Sequence, residues 1–379
     1  MRHRRDSRNP KPNRGEKILL VVVPLVAVVV SAVLATATVI QDDTYADEDW
    51  AENSFEAQLA DILPLQTPEQ PIRLVFLGDV SISRRITEGL VQDPPTEDYL
   101  LGIRQLALSA DALFVNLECV LADDDLPPAD KSPLGGTFHL MGKSSSAREL
   151  ANAGVRLVSL ANNHTMDYGA EGLIQTISAL DSAGILHAGA GNNLEQARQP
   201  AILEILGTKI ALLAYSNILH GAGCAGEDKP GAVLFKKEWV LEDIERTRPN
   251  CDLLVVSLHW LGEDQSKPDV REKSWAHSFI DAGADLIIGH HSHVLATVEL
   301  YSPGIIAYSL GNSVFDTIYE HRRKSSALVV EFQKGEGITS FELVPIVIEN
   351  LVTKVSDDAD MVEFVQSKIV SETPIPTSP

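Results

Sequence analysis

The apolar stretches of this chain come in short, β-branched runs at 72–77, 112–116, 155–160, 209–215, 252–258 and 285–289, and most are separated by segments with helical spacing. Continuous apolar runs of this length, alternating with amphipathic helices, predict an α/β domain whose strands are buried on both faces. Helices are predicted at 99–109, 145–153, 170–183, 237–247 and 270–283. The third and last of these end where Gly184 and Gly283 suit a C-terminal cap. After residue 294 the runs "VLATVEL", "GIIAYSL", "SALVVEF" and "ITSFELVPIVI" follow one another closely. Short loops favour antiparallel pairing, so this half is expected to close on a second sheet.

Polar residues stand where the apolar runs end: Asp79, Asn116 and Glu118, Asn163 and His164, His259, His291 and His293, and Asn312. In α/β sheets, ligands bind in the crevice beyond the carboxyl ends of the strands. Taken singly, each residue has a plainer account. Asp79 suits a turn or helix cap, Glu118 a structural salt bridge, the Asn-Asn-His stretch a polar turn, and His259 a satisfied core position. The stretch "GHHSH" is harder to dismiss, because it crowds three of the chain's 11 histidines into four positions. His291 and His293 would face the same side in a regular strand. Carboxylates, amide oxygens and imidazoles together form a mixed N/O donor set that suits one or two divalent transition-metal ions, Mn²⁺, Fe or Zn²⁺. No thiolate is offered, which points away from a closed structural zinc site and toward open, hydrolytic metal chemistry. Cys119, Cys224 and Cys251 are too few for a disulfide framework and are expected to be mostly free, buried thiols.

A net charge of −22 argues against a nucleic-acid partner, which requires a basic face. The charge is also unevenly spread. Residues 1–17 are basic, residues 18–40 carry no charge, and residues 41–71 are acidic. At about 1.5 Å per helical residue, the uncharged run can cross a hydrocarbon core of about 30 Å. Arg2, Arg4, Arg5, Arg8, Lys11, Arg14 and Lys17 would hold the N-terminus in the cytoplasm. The expectation is a single-pass membrane anchor at 18–40, an acidic linker to residue 71, and an extracytoplasmic domain. A cleaved signal peptide is the alternative, with "ATA" at 35–37 as the cleavage site.

The elements "FLGDV", "NLECVL", "LANNHTMDYG", "HWLGE", "GADLIIGHHSHV" and "YSLGNSVFD" resemble the CapA/PgsA-type capsule-synthesis (poly-γ-glutamate synthesis) proteins, over residues 72 to about 316. That family is similar to the calcineurin-like metallophosphoesterases. The resemblance implies a four-layer sandwich, two mixed β-sheets flanked by helices, in a domain expected to span 72–350; a C-terminal helix and a Pro- and Ser-rich disordered tail are expected at 351–379. It also implies that Asp79 ligates one metal and Glu118 stands at the bridging position. Asn163, His259 and His291 would serve the second metal, and His293 would return to the first. His164 would protonate a leaving oxygen. Asn116, Asp167, Glu263, His290, Asn312 and Asp316 would line or support the site, and Asp167 and Gly169 are also expected to cap the helix near 170. Two departures stand out. The metallophosphoesterase Asp-x-His motif ends here in Ser81, and Leu261 replaces the glycine of the capsule family's His-Trp-Gly-x-Glu. The implied role is capsule or poly-γ-glutamate synthesis or export, with an anionic polymer or phosphoester as substrate and membrane subunits of a polymer synthase as partners. A non-catalytic assembly subunit with a vestigial site, or a general phosphoesterase, are the alternatives.

Overall fold

The computed structural model describes residues 70–90, 98–123, 125–130, 138–219 and 221–371, all within the compact unit Pro68–Pro379. The basic segment, the expected anchor, nearly all of the acidic linker and the last eight residues lie outside the described residues. Among those described, no helix is long and apolar enough to cross a membrane.

Among the described residues, two large mixed sheets form the body of the domain, with two small two-stranded sheets beside them. In the first, Ile72–Val80, Ala112–Leu117, Val155–Ser159 and Leu186–Ala188 run parallel. Asn312–Val314 joins Ile72–Val80 in parallel on its other side, next to the antiparallel strands Lys324–Gln333, Gly337–Glu349 and Val352–Val355. The second sheet has a parallel centre of Thr208–Ser216, Leu253–His259, Leu286–His290 and Gly304–Ala307. Ala201–Ile205 and Val298–Tyr301 flank it antiparallel.

The alternation of side chains across each strand builds the layers. Leu74, Phe76, Phe114, Leu328 and Val330 of the first sheet pack with Ile210, Leu212, Val255 and Ile288 of the second, so the sheets lie face to face. The intervening residues point outward. Val75, Leu77, Val115 and Val329 meet Ile103, Leu150, Leu173 and Leu180 of the helices Leu101–Ala107, Ser146–Asn152 and Gly169–Ala183. On the far side, Leu213, Leu254, Val256 and Ile287 meet Val240, Ile244, Ala276 and Phe279 of the helices Lys237–Thr247 and Val270–Asp281. The order is therefore helices, sheet, sheet, helices.

The second sheet is not the product of the C-terminal half, as the close spacing of its strands suggested. Its parallel centre begins at Thr208, and the long hairpin Lys324–Gln333 and Gly337–Glu349 returns to the first sheet. Short loops decide which strands are neighbours. They do not decide which sheet receives the hairpin, and here Ile72–Val80 takes Lys324–Gln333 along its edge. The strands Leu186–Ala188 and Ala201–Ile205 gave no recognisable signal, and neither did Ile369–Ser371, which pairs with Val298–Tyr301 where a disordered tail was expected to begin.

Two glycines let the chain segment 308–311 approach both sheets. A Cβ on Gly78 would lie inside the van der Waals radius of the Gly311 carbonyl oxygen, and one on Gly289 inside that of Tyr308. Asp79 N–H donates to Gly311 O at 2.9 Å, and Trp260 Nε1–H to Tyr308 O at 3.1 Å. The segment is thus fixed immediately beside Asp79 and His290. Gly289→Ala or Gly78→Ala is expected to cost about 3 kcal/mol or more, because the clash is with backbone that cannot rotate away. Gly221→Ala meets open space and is expected to change stability by less than about 0.5 kcal/mol. Urea midpoints of the three variants check this.

Candidate metal centre

Strand register delivers the polar residues as neighbours. In the first sheet Asp79 is paired with Asn116 on one side and Asn312 on the other. In the second, His259 is paired with His290. Asp79, Asn116, His259 and His290 lie at or next to the carboxyl ends of parallel strands, Asn312 opens the strand Asn312–Val314, and the face-to-face packing brings them together.

Asp79 is fully buried and well provided with donors. Asn116 Nδ2–H donates to Oδ1 at 2.9 Å and the His291 backbone N–H to Oδ2 at 3.2 Å. His290 Nδ1 lies 3.3 Å from Oδ1 and His293 Nδ1 3.4 Å from Oδ2. Burial opposes ionisation of Asp79, but His290 and His293 outweigh it and hold the carboxyl well below its usual range. Glu118 is equally buried, yet neither of its oxygens has a hydrogen-bond partner. Its Oε1 lies 3.6 Å from His259 Nε2 and 4.0 Å from His164 Nε2. Burial, joined by the charge of Asp79, pushes its carboxyl well above the usual range.

The imidazoles divide into two kinds. Burial and the neighbouring His293 push His291 down to about 4, and burial and His291 push His259 down as well, so both are neutral. Burial also opposes charging of His293, but Glu118 and Asp79 raise it to about 9. Asn116 Nδ2 lies 3.3 Å from His259 Nδ1 and can only donate, which leaves the His259 proton on Nε2, 2.7 Å from Asn163 Oδ1. His293 Nδ1 donates to Asn312 Oδ1 at 3.0 Å, and Asn312 Nδ2–H in turn donates to Arg322 O.

The donor set fits a divalent cation. Ligand atoms of Asp79, Glu118 and His259 lie within 4.8 Å of one another, as do those of Glu118, His291 and His293. The two triads share Glu118. A buried carboxylate without donors costs several kcal/mol, and Glu118 Oε1 and Oε2 and His291 Nδ1 are all buried without a hydrogen-bond partner. One or two cations would use those atoms and cancel that cost.

Backbone geometry supports the same reading. The strand ends at His290, and His291 and His293 follow with φ of 83° and 59°, a left-handed conformation uncommon for residues other than glycine. The expectation that they share one face of a regular strand is therefore incorrect. A left-handed bend brings their rings to 5.9 Å, and His291 to 4.7 Å from His259.

The helix-capping role expected of Asp167 differs in the structure. Asp167 does not cap the helix Gly169–Ala183, whose cap position is Tyr168. Instead Asp167 Oδ2 accepts from His164 Nδ1 at 2.8 Å and from the Leu140 N–H at 2.6 Å. Glu263 pairs with Arg322 at 2.8 Å, and Asp316 pairs with Arg84. Both carboxylates therefore have cationic partners of their own. His290 packs behind Asp79 against the Phe114 ring. Asn162 escaped notice beside Asn163. Its Nδ2 donates to Asn116 Oδ1 and Leu117 O, and its Oδ1 accepts from the His164 N–H. The doubled asparagine was the available signal. All three cysteines are free, but only Cys119 is buried, and burial pushes its thiol up to about 12.

Two variants separate binding from folding. Glu118→Gln is expected to leave the metal-free protein equally or more stable, because it replaces a buried carboxyl without donors, while metal affinity falls at least tenfold. His291→Gly relieves the left-handed strain, so stability in urea should hold or rise by about 1 kcal/mol while metal is lost. Elemental mass spectrometry and urea titration read the two effects. Binding must also displace the His293 proton, so apparent affinity by calorimetry should rise with pH up to about 9.

Residues 73–317 match the family described as bacterial capsule synthesis protein PGA_cap. The capsule biosynthesis protein CapA of Bacillus anthracis is 30% identical over 344 residues, covering 89% of this chain and 77% of that protein. The PGA biosynthesis protein CapA of Bacillus subtilis is 30% identical over 273 residues, covering 72% and 70%. Among solved structures, the NAD nucleotidase of Haemophilus influenzae is 14% identical, covering 80% of this chain and 57% of that one, with a TM-score of 0.40, too low to support a conclusion. On the family match and the two relatives, the chain belongs to the bacterial capsule synthesis protein family.

Proposed function

We propose that this chain is a membrane-anchored, extracytoplasmic capsule-biosynthesis protein whose domain holds one or two divalent transition-metal ions. With them it would hydrolyse a phosphoester or an amide in an anionic polymer such as poly-γ-glutamate. The observation that carries the metal reading is Glu118, a buried carboxyl without donors shared by two candidate ligand triads. The polymer is inferred from the family description PGA_cap and from the name of the Bacillus subtilis relative, a PGA biosynthesis protein. The anchor rests on the uncharged run at 18–40 and its basic flank, which also make membrane subunits of a polymer synthase the natural partners.

Asp79, Glu118, Asn163, His259, His291 and His293 would hold the metal, which when bound lowers the pKa of a coordinated water for attack. The rest is done by the chain. Asp167 Oδ2 fixes the Nδ1 proton of His164, so Nε2 is the nitrogen turned toward Glu118 and the centre. As an imidazolium, His164 passes the Nε2 proton to the leaving oxygen or nitrogen. Asn162 holds the turn by accepting the His164 N–H.

A second reading, a non-catalytic assembly subunit, is favoured by Ser81. Its hydroxyl lies 2.8 Å from that of Ser83, at the position where the metallophosphoesterase pattern has an imidazole. The two readings separate on the full-length chain in a mild detergent, loaded with Mn²⁺ and assayed on bis(p-nitrophenyl) phosphate and on poly-γ-glutamate. For the hydrolase, His164→Gln should lower kcat by about 10²- to 10⁴-fold with metal content unchanged, and Asp167→Asn should lower it by less. No turnover by the metal-loaded wild type on either substrate supports the assembly reading.

A further inference from the structure

Two arginines stand near the metal centre, and they differ in how far their charge is already used. Arg322 is only 14% exposed, and its guanidinium is divided between Glu263 at 2.8 Å and Asp264 at 2.7 Å. Arg84 is 34% exposed. It has a single carboxylate partner among the described residues, Asp316, which is bound through one terminal nitrogen, and its Nε has no acceptor. A guanidinium presents five N–H donors in a planar fork, and because Nε is buried the donors that Arg84 offers a second oxyanion are those of its terminal nitrogens.

The placement of this fork is built rather than incidental. Asp316 is 7% exposed and accepts from the Arg85 N–H as well as from Arg84, which fixes the carboxylate that holds the guanidinium. Arg84 lies over the Phe315 ring at 6.0 Å and over the Phe138 ring at 5.5 Å. Phe315 in turn packs against the His293 ring at 4.9 Å. Only one aromatic ring therefore separates the guanidinium from a candidate metal ligand. Phe138 is 62% exposed, so the fork sits at the solvent side of that contact. Arg84 also has φ of 51°, a left-handed conformation uncommon for residues other than glycine.

We propose that Arg84 is a specificity-determining residue that binds an oxyanion of the substrate beside the metal centre, and that Asp316 is its positioning residue. This deepens the hydrolase reading and rests on it for the identity of the substrate. On a polyacid chain the oxyanion is a side-chain carboxylate next to the bond presented to the centre. On a phosphoester it is a second phosphate. An uncharged chain of the same length would lack the interaction.

The test is binding, measured by fluorescence anisotropy of a labelled γ-glutamyl oligomer on the full-length chain in detergent, with and without Mn²⁺. Inorganic phosphate and a γ-glutaminyl oligomer serve as competitors. The wild type should bind the acidic oligomer. Arg84→Ala should weaken binding by about tenfold or more, and Arg84→Lys, which keeps the charge but not the fork, by a smaller factor. Metal content should be the same in all. Because Arg84→Ala leaves Asp316 buried without its partner, the double variant Arg84→Ala/Asp316→Ala is measured beside it and should show the same loss. Competition by phosphate that depends on Arg84 assigns the subsite to phosphate, and its absence assigns the subsite to carboxylate. Equal affinity of the wild type and both alanine variants overturns the proposal, as does competition by the uncharged oligomer as strong as by the acidic one, or failure of the wild type to bind either anion. Arg84-dependent binding by a protein that takes up no metal would sustain this inference and sink the hydrolase reading. Metal uptake with turnover that is indifferent to Arg84 would do the reverse.

Discussion

Two carboxyl groups lie a short distance apart in the interior, and the structure supplies donors to only one of them. Asp79 receives the Asn116 amide from its own sheet and the His291 N–H from the other, so its charge clasps the two sheets at their shared end. Glu118 receives nothing. Such an arrangement is stable only if Glu118 is protonated or a cation lies beside it, because a bare carboxylate in this environment costs more than a single hydrogen bond returns. The remaining geometry follows from that imbalance. His259 and His291 are kept neutral by burial, His291 Nδ1 has no hydrogen-bond partner and can offer its lone pair, and the backbone at His291 and His293 is left-handed.

The fold makes the imbalance possible by means of parallel strands. In each sheet the strands end together, so residues at equal register become neighbours on one rim. Asp79 and Asn116 are delivered in this way from one sheet, joined by Asn312 at the start of its short strand, and His259 and His290 from the other. Gly78 and Gly289 then admit the segment 308–311 against both rims at once, which carries Asn312 to His293. Stability and site geometry are coupled here, since the contacts that close the interface between the sheets also set the distance between the ligand groups.

Much of this was legible in the chain. The β-branched runs marked the parallel strands, and the polar residues after them marked the rim, because both depend on local pattern: burial on two faces and abrupt loss of it. What could not be read locally was partnership. Asp167 sits just before a helix, where a capping role is the ordinary inference, yet its carboxylate turns to His164 and the Leu140 N–H. Glu263 and Asp316 carry the charge of a ligand, but arginines distant in sequence claim them. The return of Lys324–Gln333 to the first sheet was hidden for the same reason, as its pairing partner lies some 250 residues earlier. Spacing identifies which residues stand at an edge, whereas long-range topology decides whom they meet.

The acidity of the chain bears on how the centre would receive an anion. The net charge of −22 is a sum over the entire sequence, part of it carried by the acidic stretch 41–71, and at physiological ionic strength fields beyond about 8 Å are largely screened. Local balance therefore governs. Of the candidate ligands, Asp79 and Glu118 carry formal negative charge, while His259, His291 and Asn163 bind as neutral groups. One divalent ion would bring those two carboxylates to neutrality and leave an anionic substrate with little to gain. A second would leave the centre positive, and the sharing of Glu118 by two ligand triads provides for it. The Arg84–Asp316 pair adds direction to this rather than net charge, since the two groups cancel at a distance and only a ligand in contact with the guanidinium experiences its donors. A polyanionic substrate and an acidic protein are thus compatible when attraction is confined to a few ångströms around the ions. The same confinement makes recognition depend on the shape of the chain presented there, and not on its total charge.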